Sequence, residues 1–214
     1  MHMTSSQPVA AELGAITVHG MTRESFLLRS TLAAGTAYGA LAATPYITRA
    51  LAQSGAGDID IVNYALTLEY LESTFYTEGL KAVKGLSADD TKLAKKIRDD
   101  EDAHVEALIA TVKKLGGTPA AKPTFDFGGA FGSAEAFLKT ANVLEDTGVS
   151  AYNGAATSIE SGEVLGAAGS IVQVEARHAS LIRLTRGKPP APLAFDKASE
   201  MAAVLKAVKP FITA

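Results

Sequence analysis

The chain contains no cysteine, which removes disulfides, thiolate nucleophiles, Fe–S clusters and cysteine-ligated zinc together. That absence leaves the compartment open. Tryptophan is also missing, and strand-forming runs are few beside a text rich in Ala, Leu and Glu. The formal net charge is only -3, with both signs scattered and no basic block, so nothing marks a nucleic-acid footprint. There is no Gly-rich phosphate loop behind a strand and no G-x-S-x-G. Without a thiolate or a third histidine outside the first 20 residues, the ligand set of a zinc hydrolase is incomplete.

At 214 residues the chain has room for one domain with a sizeable core and an appended segment. Residues 1–20 show no clear period and read as an upstream extension. From Met21 the text changes: MTRESFLLRS, a mildly apolar Ala/Gly run at 31–44, Pro45, then Ala50-Leu51-Ala52 as an A-x-A cleavage site before Gln53. This layout predicts a secretory leader and an exported protein, periplasmic, cell-envelope or secreted. TRESFLLR resembles a twin-arginine signal, but Glu24 stands where the second arginine would be. The alternative is an N-terminal helix packed on the domain or lying at an interface. The apolar run is too short and weak to predict a membrane span. The expected organisation is an extension and leader at 1–52, a linker at 53–57 and one domain at 58–214.

Within that domain the punctuation predicts helices. The first covers 58–80 with Asp58 as N-cap, and the second covers 87–115 behind a Ser87 cap and stops at Gly116-Gly117. Residues 118–132 contain two prolines and three glycines and cannot be helical throughout. A third helix spans 133–159, a tight turn at Ser161-Gly162 leads into a fourth ending near Arg186, and a short last helix to about Val208 follows an Asp196 cap. The expected class is all-α.

Four stretches carry the chemistry. Residues 69–76 and 145–152 each read Glu, six residues, Tyr, while 101–104 and 175–178 each read Glu-x-x-His. Residues three or seven apart share a helix face, so each stretch aims its polar groups one way. The same faces carry Val62, Ala65 and Leu66; Leu93, Ile97, Leu108 and Val112; Leu138 and Ala141; and Ala168, Ile171, Val172 and Ile182. A carboxylate on a buried stripe is costly unless it is paired or bound to a cation. Glu69, Glu101, Glu145 and Glu175, with His104 and His178, therefore call for metal. The chain has four histidines, and chance would put Glu three places before both domain histidines only about 0.4% of the time. The two halves repeat in ligand placement, from Glu69 to Glu101 and from Glu145 to Glu175.

One Glu from each of two helices and Glu-x-x-His from each of two others is the ligand set of di-iron and di-manganese carboxylate bundles. In these residues the chain resembles the ferritin-like superfamily, and within it the ferritin-like domain family that includes desiccation-related plant proteins and exported bacterial proteins. LEDTGVSAYNGA, residues 144–155, resembles that family most. The resemblance implies an up-down four-helix bundle, with 118–132 as the long crossover between helices two and three. It also implies that Glu101 and Glu175 bridge two metals, that Glu69 and Glu145 are terminal ligands, and that His104 and His178 each cap one metal. Tyr76 and Tyr152 match tyrosines that lie behind the ligands in that family.

The remaining acids read as bystanders. Glu72, one turn from Glu69, is open to a place among the ligands but is placed on the surface or behind them, and Asp99, Asp100, Asp102 and Glu106 form a solvated face. Asp146 points about 100° away from Glu145 on the helix. Glu160 and Glu163 flank a turn. Oxygen- and nitrogen-rich ligands favour two iron or two manganese ions, with O₂ or peroxide as reaction partner: Fe(II) oxidation, or peroxide dismutation in the manner of manganese catalases. The alternatives are a metal-sequestering protein and a stress- or desiccation-protective bundle in which metal is structural or absent. Self-association is compatible with such a bundle.

Overall fold

Serine caps and glycine stops set most of the helix boundaries. The computed structural model describes residues 57–213. It contains α1 (Asp58–Ala82), α2 (Ala88–Lys114), α3 (Ala134–Ala155), α4 (Gly162–Thr185) and α5 (Met201–Val208), with short 3-10 turns at Gly128–Phe131, Ala156–Ser158 and Lys209–Phe211. Ser87, Ser133 and Ser161 each accept a bond from the backbone N–H three residues on, at 3.0, 3.0 and 3.3 Å, satisfying a donor that the first helical turn leaves free. Gly116 ends α2 in the left-handed region at φ +81, where a Cβ would be strained. The Gly117 N–H then closes back on the Val112 carbonyl at 2.9 Å.

Two expected caps are corrected. The N-cap of α1 is Gly57. The Asp58 carboxylate instead accepts from the backbone N–H groups of Glu160 and Ser161, both at 2.8 Å, so it ties the start of α1 to the α3–α4 turn. Asp196 is not the N-cap of the last helix. The last helix begins only at Met201 behind Glu200, because the Ser199 N–H is drawn to the Ser150 carbonyl of α3 at 2.9 Å, which holds the preceding stretch extended. The third helix is α-helical to Ala155 and tightens to 3-10 geometry before Ile159.

The helices form two hairpins, α1–α2 and α3–α4, with α1 also packed on α3 and α2 on α4. The α2–α3 connection leaves α2 beside Ile59 at the start of α1 and ends with Phe131 against Gly79 near the other end. It therefore runs the length of α1, and the all-α ferritin-like bundle follows. Among the described residues no strand forms; one isolated antiparallel bridge joins Phe125 to Ile212 and pins the C-terminal turn to the crossover.

Apolar side chains gather into two clusters. One is built around Phe75, Tyr76, Ile97, Phe137, Leu144 and Ile182, with Phe75 and Phe137 stacked at 4.9 Å. The other holds Val62, Leu66, Leu108, Val112, Tyr152 and Ile171. Along α2 the order is Ile97, Glu101, His104, Leu108, and along α4 it is Ile171, Glu175, His178, Ile182. The polar residues thus occupy a layer between two apolar plugs, each of whose large side chains contributes roughly 1.5–3 kcal/mol of burial. The expected leader, its expected cleavage site and the expected linker up to Ala56 lie outside the described residues. No described helix is long and apolar enough to cross a membrane.

Candidate metal centre

Between the plugs Glu69, Glu101, Glu145 and Glu175 are fully buried, and His104 and His178 are 9% and 3% exposed. Each helix contributes through the register of its apolar stripe. A Glu one turn from a buried Leu or Ile must follow it inward.

The six residues fall into two groups whose ligand atoms lie within 4.8 Å of one another: Glu69, Glu101, His104 and Glu175; and Glu101, Glu145, Glu175 and His178. Glu101 and Glu175 belong to both. Glu101 gives one oxygen to each side, with Oε2 at 3.1 Å from His104 Nδ1 and Oε1 at 2.9 Å from His178 Nδ1. His104 Nδ1 also lies 3.2 Å from Glu69 Oε2 and 3.1 Å from Glu175 Oε1. His178 Nδ1 is 3.4 Å from Glu145 Oε2.

One ring nitrogen carries at most one proton and cannot serve three carboxylate oxygens by hydrogen bonding. Several of these atoms lack hydrogen-bond geometry altogether despite their closeness: Glu101 Oε1, Glu145 Oε2, both oxygens of Glu175 and His178 Nδ1. Buried polar atoms without partners are rare and costly. Donor atoms that converge at about 3 Å on a space between them, instead of pointing at each other, fit cations held in that space.

The tyrosines are exchanged between the hairpins. Tyr76, on α1 with Glu69, donates to Glu145 of α3. Tyr152, on α3 with Glu145, donates to Glu69 at 2.5 Å. Each phenol therefore fixes a carboxylate of the opposite half and finds the partner that a buried hydroxyl needs. Burial, and then the neighbouring carboxylates, push both phenols well above their ordinary pKa, so they remain donors.

Two acids outside the six-residue set lie at the site. Glu72 is 2% exposed, one turn from Glu69 on the same face. That i, i+3 spacing was the available signal. Asp100 Oδ2 lies 3.1 Å from His178 Nε2 and orients the ring with Nδ1 toward the carboxylates. Its partner is 78 residues away, so no local pattern announces it. The other acids behave as expected or are engaged elsewhere. Asp146 pairs with Arg183, Asp102 accepts from Ser73 at 2.5 Å, Asp99 pairs with Arg98 and exposed Glu163 pairs with Lys114.

The electrostatics follow from five carboxyls and two imidazoles sharing one buried space. Burial, followed by mutual repulsion, pushes Glu72 and Glu175 well above the carboxylate range. Burial likewise raises Glu101 to about 8, although both histidines pull it down. Burial alone would depress the imidazoles. Contacts with Glu101, Glu175 and Glu69 outweigh it for His104, raised to about 12, and contacts with Glu101 and Glu145 do so for His178, raised to about 11. Glu69 goes the other way, because bonds from His104 and Glu101 overcome its burial. Protons on three carboxyls and two rings thus supply the positive charge that this cavity demands.

Compared with known proteins, the sequence model of the family described as ferritin-like domain matches residues 57–188. No curated protein matches the chain. The matched region contains all four helices and every residue of the two ligand groups, and it is more than half of the chain. The chain belongs to the ferritin-like domain family.

Proposed function

We propose that Glu69, Glu101, His104, Glu145, Glu175 and His178 hold a carboxylate-bridged pair of iron or manganese ions, and that the protein performs redox chemistry with O₂ or peroxide. The observation that carries this reading is the pair of overlapping ligand groups, with Glu101 and Glu175 in both. Hard carboxylate oxygens with one imidazole per group suit iron or manganese, and a pair of such ions, when bound, supplies the electron changes that O₂ or peroxide chemistry requires. The chain's own contribution is positioning and exclusion of water. Tyr76 and Tyr152 hold the terminal carboxylates, Asp100 holds His178, and the two apolar plugs keep the layer dry. Elemental analysis of protein from its native compartment tests the pair directly.

Three expected outcomes follow from this assignment. His104→Ala and His178→Ala each remove one ligand while Ile97, Leu108, Ile171 and Ile182 still hold the helices. Each variant is expected to keep its circular dichroism and to lose most Fe(II)-oxidation or peroxide-consumption rate. Unchanged rates in both would count against catalysis, and unfolding of both would point to metal as a structural element. Asp100→Asn keeps the shape but weakens the charge behind His178, and metal affinity is expected to fall roughly 10–100-fold; equal affinity by calorimetric titration would remove Asp100 from the site. The leader-like layout before Gln53 supports export as part of the proposal. N-terminal sequencing of protein from the native host should begin at Gln53, and a chain beginning at Met1 or Met21 in the cytoplasm would refute cleavage.

A further inference from the structure

We propose that Glu72 is a seventh metal-facing residue and the fifth carboxylate of the layer, that Gly148 is the residue that makes room for it, and that together they render the two metal positions unequal. This rests on the reading of the site as a metal pair. Three observations carry it. Glu72 is 2% exposed and its Oε2 has no hydrogen-bond partner. No Lys or Arg among the described residues pairs with it, and its charged neighbours are Glu175, Glu101, Glu145 and Glu69. A carboxyl so placed has no reason to face inward unless something in the layer balances it.

The second observation is spatial. A Cβ built on Gly148 would lie 3.1 Å from Glu72 Oε1 and 3.3 Å from Glu175 Oε2. The free oxygen of a shared ligand and the Glu72 carboxylate therefore meet over the bare backbone of α3. A methyl group at 148 would press on both, and one or the other would have to give by a few tenths of an ångström.

The third is the broken repeat. Glu72 follows Glu69 by three residues in the first hairpin, and Gly148 follows Glu145 by three in the second. Corresponding positions in the two halves thus hold a carboxylate and a vacancy for it. Two glutamates there would crowd the same space, so one half supplies the group and the other the room. The six-ligand set is balanced between the halves, whereas Glu72 adds a donor from one side only.

Anaerobic calorimetric titration with Fe(II), or Mn(II), tests this on the parent, Glu72→Gln and Gly148→Ala, with circular dichroism to confirm folding. The parent should bind two ions with unequal affinities. Glu72→Gln keeps the volume and removes the anion; it should weaken one step by about tenfold or more while the other changes less. Gly148→Ala leaves Glu72 in the chain but obstructs its seat, and the same step should weaken. Parent-like affinities in both variants would overturn the assignment of Glu72. Absence of metal binding by the parent would instead overturn the reading of the site beneath it.

Discussion

Replacing Glu101 and Glu175 together by alanine is expected to take metal content from about two ions per chain to essentially none. Each of these residues belongs to both ligand groups, so the double variant leaves one Glu and one His on either side. Two donors of that kind, separated by a water-filled gap, hold an ion far more weakly than four converging ones. Replacing Glu69 and Glu145 together also removes two carboxylates, but it takes one from each group and spares both shared ligands, so a reduced affinity and residual occupancy are expected. The contrast separates sharing from simple loss of charge. Folding should survive in the Glu101 and Glu175 variant, since the metal-free cavity is crowded with acid and losing two carboxyls relieves repulsion while the plugs around Phe137 and Leu66 stay filled. Elemental analysis after gel filtration reads the outcome. Two ions still bound in the Glu101 and Glu175 variant would place the metal elsewhere in the chain.

Most of the bundle, and the gathering of Glu69, Glu101, His104, Glu145, Glu175 and His178 in one buried layer, were legible because they rest on local rules. Apolar period, serine caps and the Gly116 stop are written within a few residues of what they determine, and Glu-x-x-His carries its own geometry. The errors came where a side chain answers to a distant partner. Asp58 has the composition of an N-cap, yet its carboxylate serves backbone N–H groups about a hundred residues on. Asp196 looked like a cap until Ser199 was tied to Ser150. The tyrosines could be read as lying near carboxylates, but not that each serves the opposite hairpin, because the exchange depends on how α1 and α3 lie against each other. For Glu72 the sequence left the surface, a place behind the ligands and a place among them open. Its spacing from Glu69 marked the shared face, but a surface location was the cheaper reading for an acid, and only the cluster of opposing carboxyls gives its burial a purpose.

Metal should raise the thermal midpoint, and by more as pH rises. Ions at a thousand times their dissociation constant stabilise the folded state by about 4 kcal/mol, which for a chain of this size corresponds to roughly 10 °C. The pH dependence comes from the protons that stand in for metal. Glu101 is raised from its ordinary value to about 8, Glu72 and Glu175 are also raised well above theirs, and His104 and His178 reach about 12 and about 11. A group whose pKa is higher in the folded than in the unfolded chain binds more protons when folded, so its contribution is complete at low pH and is lost as pH climbs through the folded value. Glu69, shifted down, contributes above the ordinary carboxylate range and is constant by pH 6. Between pH 6 and 9 every remaining shift therefore acts in one direction, and the metal-free protein should melt at steadily lower temperature. Metal binding displaces those protons and strengthens over the same interval, so the gap between loaded and chelated protein should widen from pH 6 to pH 9. Differential scanning calorimetry with and without chelator, at matched ionic strength, measures both trends. A metal-free protein that grows more stable from pH 6 to 9, or midpoints indifferent to metal throughout, would mean that the buried carboxyls are balanced by something other than protons and ions.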